Sequence, residues 1–251
     1  MRRGVRSIDA GQGRGGIRSL PRTWRTMSLA WKARAVTPSA AQGDESDGLG
    51  LVGQADVSPG DVTMRSYGRA ADLYRDACTA PTPAYTAFLH ELASLVPEGE
   101  VLEVGAGTGR DALYFRQLGL RVIPTDGVDV FVEMMRNQGL PARLLDIRSG
   151  DLGGPYAAVF AGAVLLHLSR AELTAFLERV RRSITPGGVF AFTLKDGDGE
   201  SWSYAKLDQP RHFTYWREAD IRDRLVVTGW EVALLRHVEG NSEGWLFVVA
   251  R

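Results

Sequence analysis

The chain has one cysteine, Cys78, among its 251 residues. An intrachain disulfide is excluded, and Cys78 has no Cys or His neighbours at the spacing of a zinc site. No H-x-x-x-H run or Cys cluster occurs elsewhere, so no metal is expected. No stretch approaches the roughly 18 consecutive apolar residues that would suggest a bilayer-spanning helix. No membrane partner is therefore expected, and a reducing, cytoplasmic setting is the default. Net charge is also missing. Lys plus Arg and Asp plus Glu both count 30, which leaves no global field to attract nucleic acid or an acidic membrane.

The charge that is present is unevenly spread. Residues 1–40 carry nine Lys or Arg against one acid, Asp9, and residues 41–62 carry five acids and no base. That leaves 21 basic and 24 acidic groups in residues 63–251, a slightly acidic body. The first 62 residues are rich in Gly, Ser, Arg and Asp, with no sustained apolar period. Such a segment cannot bury enough surface to offset the entropy of ordering, so residues 1–62 are expected to be a disordered tail and 63–251 the working domain. The Arg-rich, acid-poor start also has the look of an organellar transit peptide, and Met27 and Met64 offer downstream starts.

From Tyr67 onward the pattern becomes periodic. Ala70, Leu73, Tyr74 and Ala77 recur at helical spacing, and a second amphipathic stretch runs from Pro83 to Leu95. Val101–Val104 reads as a short buried strand, followed by a helix to Leu118. Strands over 121–125, 143–145, 157–161 and 189–194 alternate with helices over 130–137 and 170–183. Thr185-Pro-Gly-Gly188 reads as a turn, Arg211–Trp216 as a loop and 218–227 as a helix. Strand–helix alternation predicts a parallel sheet covered on both faces, an α/β doubly wound, Rossmann-like fold. The final two strands, 230–236 and 245–250, are joined by a link too short for a crossover helix and must pair antiparallel.

The chemistry concentrates in Glu103-Val-Gly105-Ala106-Gly107-Thr-Gly109, placed after a strand and opening a helix. Glycines permit the sharp turn and let a ligand lie against the backbone. Asp126 ends the next strand, where an acid can accept hydrogen bonds from ribose hydroxyls. Together these point to an adenosine-containing ligand without separating NAD from S-adenosylmethionine. Three features favour the latter. The spacing is G-x-G-x-G, not the dinucleotide G-x-G-x-x-G. Glu103 would oppose a pyrophosphate but could meet a cationic amine. The chain also ends in an antiparallel strand pair, not in a second nucleotide-binding half.

Val101 to Leu118 resembles motif I of the class I S-adenosylmethionine-dependent methyltransferases. The resemblance continues through Val122–Gly127, Leu144–Ile147, Ala157–Leu168 and Thr185–Val189, and covers about Tyr67 to Arg251. It is nearest to small bacterial tellurite-resistance-like methyltransferases, through Arg110-Asp111, Leu165-Leu-His167 and Lys195-Asp-Gly-Asp-Gly199. Many relatives carry Asp-Leu-Gly-Cys where this chain has Glu103-Val-Gly-Ala106. The family implies a seven-strand sheet whose last strand is antiparallel, and S-adenosylmethionine as cofactor. It implies Gly105 and Gly107 beneath the methionine portion, Asp126 on the ribose, Asp146 and Ile147 at the adenine, and Ala161 lining the site. Ala106, Gly109 and Gly127 complete the expected cofactor set.

For the acceptor side, His167 follows the fourth parallel strand and is the candidate base, against the plainer role of a satisfied structural histidine. Lys195, His212 and Tyr215 are candidate substrate contacts, as are Tyr67 and Tyr74 in a lid; solvation or packing is the competing role for each. The expected reaction is methyl transfer to O, N or S of a small-molecule acceptor. The basic tail motivates a tRNA or protein acceptor instead, and the acidic body argues against nucleic acid. A non-catalytic S-adenosylmethionine-binding protein is the alternative outside enzymology. Nothing in the sequence sets the oligomeric state.

Overall fold

The computed structural model describes residues 57–78, 80–240 and 243–251. The tail reading for residues 1–56 lies outside the described residues. Order begins earlier than the expected tail boundary, because helix α1 spans Pro59–Arg69. Ser58 caps it by accepting from the Asp61 N–H, Pro59 occupies the first turn, and Asp61 complements the helix dipole. Two further helices precede the sheet, α2 (Ala71–Ala77) and α3 (Pro83–Leu95).

Strands β1 (Glu100–Val104), β2 (Arg121–Asp126), β3 (Arg143–Leu144), β4 (Tyr156–Ala161) and β5 (Ile184–Lys195) are parallel, in the order β3-β2-β1-β4-β5. Helices α4 (Arg110–Gln117), α5 (Asp129–Asn137) and α6 (Arg170–Ser183) cross between them. Tyr156 pairs with Ile184 but Ala158 with Val189, so the Thr185–Gly188 turn survives as a segment looped out of β5. After α7 (Glu218–Val227), β8 (Val232–Glu239) and β9 (Gly244–Ala250) close the seven-stranded sheet, β9 antiparallel to both β5 and β8.

Period-two alternation explains why both faces are covered. Along β5, Phe190, Phe192 and Leu194 enter one core with Phe176, Leu177 and Trp216. Val189 and Ala191 enter the other with Phe88, Phe115 and Met135. A reciprocal capping box between Ser169 and Glu172 starts α6 and aims its apolar stripe at the first core.

One expectation is corrected here. Arg211–Trp216 is not a loop: Arg211–Thr214 is strand β7, paired antiparallel with β6 (Glu200–Ser203) in a separate two-stranded sheet. The segment is fixed by tertiary contacts. The His212 N–H donates to Thr63 Oγ1 on α1 (3.0 Å), and Phe213 packs into the core beneath.

Candidate active site

The sheet order reverses between β1 and β4, where parallel strands leave a crevice at their carboxyl ends. A cleft opens there, the place where small-molecule sites of such sheets lie. Its floor is Gly105, Gly107, Asp126, Gly127 and Val128; one wall is Leu145–Arg148 and another Gly162–Val164 with His167 and Leu168. Gly60, Thr63, Met64 and Tyr67 of α1 and Tyr74 of α2 form the roof.

The glycine turn is held open by close contacts. Gly105 has φ +63°, and a Cβ there would lie 2.3 Å from Val164 Cγ2. Gly107 has φ +55° and faces the Tyr74 ring, 3.2 Å from where its Cβ would stand. Gly109 serves packing instead, since a Cβ would meet Leu140 and Met135 in the second core. Asp126 braces the turn: Oδ2 accepts from Gly107 N–H (2.8 Å) and Oδ1 from Val128 N–H (2.9 Å). Burial pushes its carboxyl up to about 6, against the pull of those backbone donors.

Glu103 lies under the turn, 3% exposed, and its Oε2 is buried without a hydrogen-bond partner among the described residues. Burial raises its carboxyl well above the usual range; nearby Asp111 adds to this and Arg110 opposes it. An orphaned acceptor of this kind fits the cationic amine of an amino-acid moiety. Tyr85 O–H donates to Asp111 Oδ2 (2.6 Å), and Arg110 pairs with Asp111 (2.8 Å).

At the other end, both oxygens of Asp146 are engaged by Arg148, which also pairs with Asp61 (2.7 Å) and donates to Ser58 Oγ (3.0 Å). Burial works against the Asp146 charge, but Arg148 overcomes it and holds the carboxyl below its usual range. Arg148 thus ties the first turn of α1 to the loop after β3.

His167 closes a short 3-10 turn, Leu165–His167. Its Nδ1 lies 2.7 Å from the His212 carbonyl, which can only accept, so the proton sits on Nδ1. Nε2 then accepts from Tyr67 O–H at 3.0 Å. Burial drives the imidazole down to about 3, with Arg211 and Lys195 reinforcing the shift. The ring is neutral, with its lone pair directed at the Tyr67 hydroxyl.

Of the residues singled out in the sequence, Gly105, Gly107, Asp126, Gly127, Asp146, Ile147, Tyr67, Tyr74 and His167 come together around the cleft. Glu103, Ala106, Gly109 and Ala161 stand behind it. Lys195, His212 and Tyr215 do not line it: Lys195 pairs with Glu243 (2.6 Å), His212 faces Glu200 (3.3 Å), and the Tyr215 hydroxyl meets Ser201 (3.2 Å). Sequence reasoning missed Thr63, Met64 and Arg148. The Ser58-Pro59 helix start was a readable signal for the first two. No local signal marks Arg148, whose partners Ser58 and Asp61 are distant in the chain.

Comparison with known proteins agrees with this geometry. A family described as a methyltransferase domain matches residues 79–235. The protein-L-isoaspartate O-methyltransferase of Methylorubrum populi is 27% identical over 159 residues, 62% of this chain and 73% of that protein. The structure of DhpI in its SAH complex has a TM-score of 0.63 at 28% identity, covering 76% of this chain and 96% of that one. A 1,6-didemethyltoxoflavin-N1-methyltransferase of Burkholderia thailandensis, with bound 1,6-didemethyltoxoflavin and S-adenosylhomocysteine, shares the fold. Its TM-score is 0.59 at 18% identity, over 80% of this chain and 92% of that one. The left-handed glycines over an open crevice, the buried acid at the end of β2 and the orphaned Glu103 oxygen fit S-adenosylmethionine, and the chain belongs to the class I S-adenosylmethionine-dependent methyltransferases.

Proposed function

We propose that the enzyme methylates O, N or S of a small-molecule acceptor, and that residues 63–251, extended by the start of α1 at Pro59, form its catalytic domain. The observation that carries this reading is the roof. Met64, Tyr67 and Tyr74 line the same cleft as Gly105, Gly107 and Asp126, a recess that suits a small acceptor held among side chains. The body has 21 basic against 24 acidic groups and offers no general field for RNA. The toxoflavin-type relative acts on a small heterocycle, which supports the same reading; the protein-L-isoaspartate relative supplies the competing one. Arg110-Asp111 and Leu165-Leu-His167 support a place among the tellurite-resistance-like enzymes. Among the described residues no helix is long and apolar enough to cross a membrane; the proposed cytoplasmic setting rests on the chain's single cysteine.

In this reading Gly105 and Gly107 let the cofactor's amino-acid portion lie on bare backbone, and Glu103 takes its ammonium. Asp126 accepts from the ribose and Asp146 with Ile147 holds the adenine, which requires Asp146 to share its oxygens with Arg148. When bound, S-adenosylmethionine supplies an electrophilic methyl that needs no further activation. The protein's task is to orient a lone pair and exclude water. The roof residues exclude water. His167 Nε2, its proton fixed on the other nitrogen, offers an acceptor for an O–H or N–H of the substrate in place of the Tyr67 hydroxyl. With a pKa near 3, His167 orients that group and does not store its proton.

The test uses S-adenosylmethionine labelled in the methyl group and a cell extract divided into metabolites, protein and nucleic acid. The expected result is label in the metabolite fraction, unaffected by salt. Label confined to protein or RNA would overturn the reading.

A further inference from the structure

The hairpin formed by β6 and β7 brings two cations against Tyr67 and Tyr74 of the cleft, and among the described residues neither has a carboxylate partner. Arg211 is 7% exposed. Its Nη1 lies 3.5 Å from the Tyr67 hydroxyl, and its Nη2 donates to the Ala205 carbonyl. Its Nε is buried without a partner among the described residues. Lys206 sits with Nζ 4.7 Å from the centre of the Tyr74 ring. The residue is exposed, but partial burial of its amine lowers the pKa; Cys78 opposes this, and Arg211 and Arg110 add to it. Tyr67 and Tyr74 meet edge to face at 5.3 Å and both line the cleft, so the two cations stand just behind the wall of the chamber.

This arrangement is costly to fold. A buried guanidinium with an unmet N–H loses hydration without full return. Lys206 adds a second cost. It holds φ +76° at the hairpin turn, a left-handed conformation that non-glycine residues seldom adopt, and Asp208 follows at +51°. Strain of this kind concentrates where a side chain must be presented to a ligand. The contacts that hold these cations now are uncharged ones, the face of Tyr74 for Lys206, and the Ala205 carbonyl with the faces of Phe213 and Tyr67 for Arg211. Two neighbouring cations with no carboxylate partner among the described residues make an anion site, and Arg suits the paired oxygens of a carboxylate or phosphoryl group.

Resting on the small-molecule reading above, the geometry points to an acceptor that carries an anionic group, bound between Arg211 and Lys206 beside Tyr67 and Tyr74. The anion anchors the substrate and Tyr67 and His167 contact the part that is methylated. Carboxylate and phosphoryl oxyanions share this chemistry.

The test is calorimetric titration of the S-adenosylhomocysteine-saturated protein with acetate and, separately, with methylphosphonate, at constant ionic strength. Binding of either is expected, and the tighter of the two identifies the class. Arg211→Gln should weaken it about tenfold or more, the loss of one charge-assisted hydrogen bond. Lys206→Gly removes the second cation while supplying the residue that a left-handed turn prefers. It should melt no lower than the parent and bind the anion several-fold more weakly, which separates binding from folding if Arg211→Gln proves unstable. Absence of anion binding by the parent, or equal binding by well-folded Lys206→Gly and Arg211→Gln, would overturn the proposal. Failure of S-adenosylhomocysteine to bind would instead strike the cofactor site, and labelled protein in the extract experiment would strike the small-molecule reading.

Discussion

Asp126→Asn separates the structural work of this side chain from its work in the site. The carboxyl is 7% exposed and is moved from 3.8 to about 6 by burial, which amounts to about 3 kcal/mol against the charged form at neutral pH. A folded-state pKa raised above the unfolded value gives stability that is complete below about 3.8 and is lost as pH rises through about 6. Asn carries no such charge and escapes that loss. It cannot, however, accept from both Gly107 and Val128, which the two oxygens of Asp126 do at 2.8 and 2.9 Å. Its amide nitrogen leaves one N–H orphaned, at a cost of about 1–3 kcal/mol. The variant should therefore be no less stable than the parent at pH 7, by up to about 2 kcal/mol in its favour, and less stable than the parent near pH 4. Its affinity for S-adenosylhomocysteine at pH 7 should fall about tenfold to a hundredfold, the scale of a hydrogen bond to a charged acceptor. Urea melts at the two pH values and calorimetric titration measure both quantities. A variant that is destabilised at pH 7 but binds the ligand as the parent does would refute the reasoning, and would make Asp126 a brace of the glycine turn alone.

Gly105→Ala places a Cβ 2.3 Å from Val164 Cγ2 at φ +63°; thermal melting should show a loss of about 2–4 kcal/mol, partly recovered by Val164→Ala. Arg148→Ala cuts the ties to Asp61, Ser58 and Asp146. Hydrogen exchange over Pro59–Arg69 should quicken and S-adenosylhomocysteine should dissociate faster, whereas unchanged exchange would show that α1 is held by packing alone. With His167 near 3, its ionisation should leave no limb in kcat/KM between about pH 5 and 8. His167→Gln should lower the rate without changing the shape of the profile, and a limb near the ordinary histidine value that vanishes in this variant would contradict the neutral assignment.

The parts of this architecture that were legible are those whose signals are local. Val101–Val104 followed by three glycines specifies a strand, a turn and a helix within one window, and the alternation of Phe190, Phe192 and Leu194 with Val189 and Ala191 specifies a strand buried on both faces. The short link after β8 specifies an antiparallel return. The parts that were not legible depend on partners far away in the chain. Strand β7 carries Arg211 and His212, both buried, and reads as an aromatic and basic loop until Thr63 and β6 supply its pairing. Arg148 has no periodicity to betray it. Helix α1 falls between these cases: its Ser58-Pro59 start was visible, but a polar composition and an acidic neighbourhood concealed an element that earns its order by packing on β7 and α5.

One peptide unit of β7 couples three elements that are distant in the chain. The His212 N–H is bonded to Thr63 and its carbonyl to His167, while Tyr67 on the same helix as Thr63 closes back on His167. Roof, hairpin and 3-10 turn are thus joined through one peptide unit, so a substitution at Thr63 or Tyr67 should be felt at His167 although neither changes the 3-10 turn itself.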